Sequence, residues 1–205
     1  MKKLFFALSA VLMLSLTSQA QVKFGAKAGL NLSRVTENFE TMKPGFHAGI
    51  YAQINLHPMF SIQPEVLYSM QGGMEKDVVD GFIQTTSYKR TLTSHNVIVP
   101  IMLQFSPIKM ITIEAGPQFG FNLGMSRHDE VTTEGAVNTG NGSDYTYDSD
   151  RYNMFDFGLA AGLKLNVASN VNIYARYNFG LTNVFVYEDD ETMNQNLMLG
   201  VGFTF

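Results

Sequence analysis

Seven residues able to do charge chemistry sit inside stretches where apolar and polar side chains alternate: Lys23, Lys27, Glu65, Glu114, Asp156, Lys164 and Arg176. Four are basic and three acidic, so gathered on one face they would nearly neutralise each other, as an ion-pair network or an ion path. Glu114 and Lys164 lie at similar distances from neighbouring turns and are expected to pair. Four histidines, His47, His57, His95 and His128, are the candidate general bases. No Gly-x-Ser-x-Gly elbow, His-Glu-x-x-His pair, phosphate loop or dinucleotide fingerprint accompanies them. Cysteine is absent, which removes disulfides, thiolate metal ligands, a cysteine nucleophile and a lipid-bearing N-terminal cysteine. No catalytic residue, cofactor or metal is therefore expected.

The remaining acids cluster elsewhere. Asp129, Glu130, Glu134, Asp144, Asp148 and Asp150 form one group, and Glu188, Asp189, Asp190 and Glu191 another. Carboxylate oxygens suit Ca²⁺ or Mg²⁺, but the spacing matches no EF-hand loop, and a solvated acidic surface is the plainer reading. A formal charge of -4 and a pI near 5.5 argue against nucleic acid, whose phosphates need Lys and Arg.

Positioning these groups falls to strands, because the dominant period from Val22 onward is two. Val22, Phe24, Ala26, Ala28, Leu30 and Leu32 alternate with Lys23, Gly25, Lys27, Gly29, Asn31 and Ser33. The same rule predicts strands from Phe46, from Phe60, and over about 94–105, 110–124, 152–166, 171–182 and 194–205, eight in all. Connections alternate long and short: 34–44, 57–59, 71–93, 106–109, 125–151, 167–170 and 183–193. Outer-membrane barrels have that asymmetry, with short periplasmic turns and long external loops. The Gly-rich run 138–150 reads as a mobile loop tip. The fold expected is all-β, an eight-stranded antiparallel up-and-down transmembrane β-barrel over residues 21–205.

Residues 1–20 read as an address. Lys2 and Lys3 precede an apolar run from Leu4 to Leu16, and Ser18-Gln19-Ala20 is a small-x-small site, so cleavage is expected after Ala20. The apolar run is too short for a membrane helix, which needs roughly 20 residues.

Strand faces then need assigning. Of the 14 basic and 18 acidic residues only those first seven fall in strands, so the polar face suits a filled interior and the apolar face suits lipid. Aromatics on the apolar face should form two girdles. Phe24, Phe60, Phe105, Phe203 and Phe205 map to the periplasmic rim, and Phe46, Tyr68, Phe121, Phe155 and Phe179 to the external one. His47 and His95 are expected near the external mouth. Pro64, Pro100 and Pro117 fall inside strands, where each removes a donor, so bulges or local breaks are expected there.

IQPEVLYSMQGG (62–73), VIVPIMLQF (97–105), IEAGPQFGF (113–121), FDFGLAAGLKL (155–165), ARYNFGLTNV (175–184) and the closing LMLGVGFTF resemble the porin-like outer-membrane barrels of Bacteroidota, an OmpA/OmpX-type barrel domain. The resemblance implies an outer-membrane location. It also implies that Phe203 and Phe205 form the aromatic ending recognised by the barrel-insertion machinery. Such barrels often carry a glutamate and a lysine where this chain has Ile98 and Gln104; if those form an ion pair, losing both together is tolerable.

Eight strands leave an interior that side chains can fill. The expectation is therefore a non-enzymatic, monomeric barrel embedded in outer-membrane lipid, serving envelope structure or surface interaction through loops whose partners are unknown. A narrow solute pore and a component of an envelope export machine are the alternatives.

Overall fold

The computed structural model describes residues 21–36, 39–80, 84–135, 139–147, 151–185 and 192–205. The expected leader with its Ala20 site lies outside them, as do Asp148, Asp150, Glu188, Asp189, Asp190 and Glu191 and the side chain of Glu134. The strands are β1 (Gln21–Val35), β2 (Phe39–His57), β3 (Phe60–Asp80), β4 (Gln84–Ile108), β5 (Ile111–Gly135), β6 (Thr139–Thr146), β7 (Phe155–Asn166), β8 (Val171–Asn183) and β9 (Met193–Thr204).

Their order is β4-β3-β2-β1-β9-β8-β7-β5-β6, and a further β4–β5 pairing closes a ring of eight antiparallel strands. Closure leaves no sheet edge in the hydrocarbon, as a membrane requires. The ninth strand, β6, is outside the ring. Among the described residues it pairs with the external end of β5 alone, from Ser126↔Thr146 to Thr133↔Thr139. The Gly-rich run expected to be a loop tip is therefore partly a strand, and much of the expected 71–93 loop is hairpin, paired from Gly72↔Thr93 to Asp80↔Thr85. Thr, Ser, Gly and Asn in these extensions show no apolar alternation because both faces meet water. Backbone pairing to an existing strand holds them, and periodicity does not report it.

Burial is inverted relative to a soluble barrel. Phe24, Leu30, Ile50 and Leu123 are more than 60% exposed, whereas Arg176, Glu114 and Gln104 are essentially inaccessible. The outward apolar belt meets lipid and the polar face crowds the axis, as expected. Aromatics also collect where the girdles were placed. Phe60 and Phe105 are register partners with rings 5.0 Å apart, and Phe203 and Phe205 lie 5.8 Å apart. At the external rim Phe46 contacts Tyr68 at 5.6 Å and Phe121 contacts Phe155 at 5.7 Å.

The prolines produce breaks without bulges. Pairing skips from Pro64↔Ile101 to Leu67↔Ile98, and from Pro100↔Gln118 to Leu103↔Ala115, with the register unchanged across each gap. Pro117 keeps its pairing with Leu159 of β7 and turns its donorless side toward the gap on β4. Beside it, a Cβ on Gly116 would come within 2.0 Å of the Ile101 carbonyl oxygen, so only glycine lets these backbones approach.

Candidate functional site in the barrel lumen

Arg176 organises the lower lumen. It lies on β8, where Asn172, Tyr174, Asn178 and Gly180 point inward with it in strict alternation. Its register partner on β7 is Gly162, whose missing side chain leaves room for the arginine. Nη1 and Nη2 donate to Glu65 Oε2 and Oε1 of β3 at 2.9 and 2.8 Å, and Nε donates to Glu114 Oε1 of β5 at 2.8 Å. Neither β3 nor β5 borders β8 in the ring, so these bonds cross the lumen. Lys27 of β1 donates to Glu65 Oε1 at 2.8 Å and lies 4.1 Å from the Tyr174 ring centroid. One bidentate fork and two further charge-assisted bonds thus tie four strands together.

Lys164 does not pair with Glu114, contrary to the sequence expectation. Register sets Glu114 opposite Gly162 and Lys164 opposite Thr112, one inward step nearer the periplasm, and the guanidinium already occupies Glu114 Oε1. Lys164 donates instead to Gln63 Oε1 and Gln104 Oε1 at 3.2 and 3.1 Å. Gln104 then relays to Glu114 Oε2 at 3.0 Å, so a carboxamide stands between the two charges. Ile98 and Gln104 both face inward but are six residues apart on one strand, roughly 20 Å. Charges at those two positions could not pair with each other.

The other two strand charges stand apart from this cluster. Lys23 lies half-buried at the periplasmic mouth near Gln53 and Thr204. Asp156 lies at the external end, accepting from the Thr182 hydroxyl at 2.5 Å.

Beside the charges, Leu67, Ile98, Tyr174 and Met198 form a buried cluster. His47 sits over it, bonded through Nε2 to the Tyr174 hydroxyl and through Nδ1 to Asn31 Oδ1 at 2.7 Å. Asn31 donates onward to Ser69 Oγ at 2.9 Å. Inward glycines accommodate these bulky groups: a Cβ at Gly200 would fall 2.6 Å from the Tyr174 hydroxyl, and one at Gly29 2.8 Å from the His47 ring. The two histidines expected together near the external mouth are on opposite sides of the wall. His47 is buried inside, while His95 lies between inward Ser94 and Asn96, faces outward and meets the Tyr68 hydroxyl at 2.6 Å. A joint catalytic role for them is excluded by that geometry.

The external mouth is closed by a second apolar cluster of Val35, Leu92, Met125, Tyr152 and Phe185, with Tyr147 and Val184 against it. Met125 points inward only because a register shift between His95↔Gly124 and Asn96↔Asn122 flips the strand's parity. The described loop acids are paired: Asp129 with Arg127 at 3.0 Å, Glu130 with Lys89 at 3.0 Å and Asp144 with His128 at 2.5 Å. The Lys89 hydrogen bond holds the Glu130 carboxyl below its usual range. Among the described residues no group of three or more His, Asp or Glu could hold a metal.

Sequence reasoning missed the carboxamides Gln63, Gln104 and Asn31 and the pair His47 and Tyr174. Their signal was present, since all lie on the polar face, but only charged members of that face were singled out.

A closed ring of strands with a lipid-facing apolar exterior and a polar, filled interior defines a transmembrane β-barrel. The chain belongs to the outer membrane protein beta-barrel domain family, whose model matches residues 17–186, and its place is an outer membrane. No curated protein matches it significantly. Among solved structures, the attachment invasion locus protein Ail of Yersinia pestis is 15% identical, covering 90% of this chain and 99% of that one with a TM-score of 0.46. Neisserial surface protein A is 15% identical over 92% and 100%, TM-score 0.45. The N-terminal barrel domain of Pseudomonas aeruginosa OprF is 16% identical over 91% and 100%, TM-score 0.36.

Proposed function

We propose that this protein is a non-enzymatic, side-chain-filled barrel that serves envelope structure or surface interaction through its external end. The supporting observation is the buried Arg176, Glu65, Glu114 and Lys27 network, which together with the buried Leu67, Ile98 and Met198 cluster fills the lumen. An eight-stranded barrel has little interior beyond what such side chains fill. Ions crossing it would have to part a buried, mutually paired charge network, which is costly.

Reconstitution into planar bilayers tests this reading. A silent membrane with correctly folded protein is expected, and discrete single-channel currents that change in Arg176→Ala or Glu114→Gln would replace it with a narrow solute pore. The chain is exported with a leader removed after Ala20, so N-terminal sequencing of the mature protein should begin at Gln21. The insertion machinery engages the end of β9 through Phe203 and Phe205, and the mature barrel is a monomer. Gentle crosslinking in cells should therefore yield it alone, whereas recurrent copurifying envelope proteins would favour an export machine.

A further inference from the structure

The periplasmic end of the barrel is built from residues 21–26, 52–64, 102–113, 163–175 and 199–205. Its charged side chains are Lys23, Lys109 and Lys164, and neither Asp nor Glu occurs in those segments. The imbalance reaches into the lumen, where Lys27, Lys164 and Arg176 face only Glu65 and Glu114. The surplus cation is Lys164, held by the carboxamides Gln63 and Gln104. Among the described residues none of Lys23, Lys109 and Lys164 forms an ion pair.

Two of these lysines share one space. Lys23 points inward from β1, where its register partner is Gln53 of β2. Lys109 stands in the β4–β5 turn, on the far side of the ring from β1. Both line two adjoining hollows of about 530 and 520 Å³ at the periplasmic mouth. Each volume falls within the roughly 300–1,000 Å³ of ordinary ligand sites.

A neutral donor faces the same space. Asn172, at the start of β8, lines the larger hollow and is only 5% exposed. Its register partner on β9 is Gly202, where an added Cβ would lie 2.7 Å from Asn172 Oδ1, so the glycine gives the amide its place. That side-chain amide has no hydrogen-bond partner among the described residues, although buried polar groups ordinarily have one. Its partner has to come from the hollow.

We propose that the periplasmic mouth binds a phosphate-bearing ligand, with the phosphoryl group held between Lys23 and Lys109 and accepting from the Asn172 amide. Lysine ammoniums are compact charges on flexible stems, and they bind phosphate without a fixed fork geometry. A phosphate monoester carries about 1.5 to 2 negative charges near neutral pH and has several acceptor oxygens. It thus answers both the unpaired cations and the idle donor, which an uncharged solute or a metal ion does not. The second hollow leaves space for the rest of the ligand. Two sources share this chemistry: a free phosphate ester of the periplasm, or the headgroup of an inner-leaflet phospholipid, since these turns stand at that interface.

The test is side-chain amide NMR on the full mature chain folded in octyl glucoside, which carries no phosphate. Inorganic phosphate and dihexanoyl phosphatidylglycerol are titrated in separately. A saturable shift of the Asn172 amide is expected from at least one probe, with Asn141 of the external β6 unmoved. A response to inorganic phosphate identifies a solute as the ligand, and a response to the lipid alone identifies a headgroup. Lys23→Met should weaken the response at least tenfold, and Lys109→Met, at an exposed turn position, serves if the half-buried change blocks folding. Sodium chloride at matched ionic strength should do nothing. The proposal is overturned if neither probe gives a saturable shift, if chloride shifts Asn172 equally, or if the shifts persist undiminished in the Lys23→Met, Lys109→Met double variant.

Discussion

The lower and upper halves of the lumen are built on opposite principles. Below, four charged residues from β1, β3, β5 and β8 bond each other across the axis and leave Arg176 no solvent contact. Above, buried amide atoms of Gln118, Asn178, Asn194 and Asn196 lack partners among the described residues, the regular β7–β8 ladder stops at Gly158↔Gly180, and the mouth is covered by Val35, Leu92 and Met125 of the ring together with Tyr152 and Phe185 beyond it. The lower half resembles a rivet and the upper half a chamber. Cross-lumen charge pairs fix a barrel's cross-section because the alternative to each bond is an unpaired ion in a dry interior. Neutral amides exact a smaller penalty, so the upper half retains freedom to open and to exchange partners.

That contrast makes the lower half the place where one substitution should matter most. Arg176→Met strands Glu65 and Glu114 with fewer cations, and a loss of about 3–5 kcal/mol is expected. Urea unfolding in lipid vesicles measures it. Replacing the group with Lys27→Met, Glu65→Leu, Glu114→Leu and Arg176→Met should recover most of that loss, because the four mutually paired charges leave together and Lys164 keeps its carboxamide partners Gln63 and Gln104. A quadruple variant as unstable as the single one would show that the network is not held by mutual compensation. Next in size is Gly200→Val, which drives a side chain toward the Tyr174 hydroxyl and the Ala28 carbonyl. Overpacking of this kind costs about 1–3 kcal/mol, and the same vesicle assay should show it. Gly140, with nothing within 4 Å of an added Cβ, should tolerate Val.

The sequence carried the ring and its two faces because a strand against lipid alternates strictly, and eight such segments alternated. It carried the identity of the charged cluster for the same reason: Lys27, Glu65, Glu114, Lys164 and Arg176 all lie on the polar face. Their partners were not legible. Glu114 was matched to Lys164 by counting along adjacent strands, whereas Arg176 reaches Glu65 and Glu114 through the lumen, and that geometry depends on strand stagger that no local pattern encodes. The inward turn of Met125 was hidden because it rests on a bulge, and β6 because a strand wet on both faces has no period to show. The prolines announced breaks in the ladder, and the structure shows them as gaps in pairing with the register held.

In the upper half the effects should be local. Phe185→Ala removes an aromatic side chain from the part of the cap that lies beyond the ends of β7 and β8. Amide exchange around Asn153 and Val184, which are bonded to each other at 2.9 Å, should rise on the order of tenfold or more as that segment opens alone. Exchange at Glu65 and Arg176 should not follow. Equal acceleration at both levels would mean that cap and network form one cooperative unit.

The smallest effect is expected furthest from the lumen, where the external β3–β4 hairpin runs beside β5 beyond the membrane. Lys89 lies 3.0 Å from Glu130 there and lowers its carboxyl pKa from the ordinary value near 4.5. A depressed carboxylate contributes stability that is present above the ordinary value and is lost as pH falls from there through the lowered one. The partners are solvated on both sides, so salt screens the attraction and side-chain entropy opposes it. Lys89→Met should therefore return the Glu130 titration, followed by carboxyl NMR, toward 4.5 while leaving the urea midpoint unchanged at neutral pH. If the midpoint fell as far as in Arg176→Met, the external hairpin would be holding the barrel together, and the division between a riveted base and an adjustable top would be wrong.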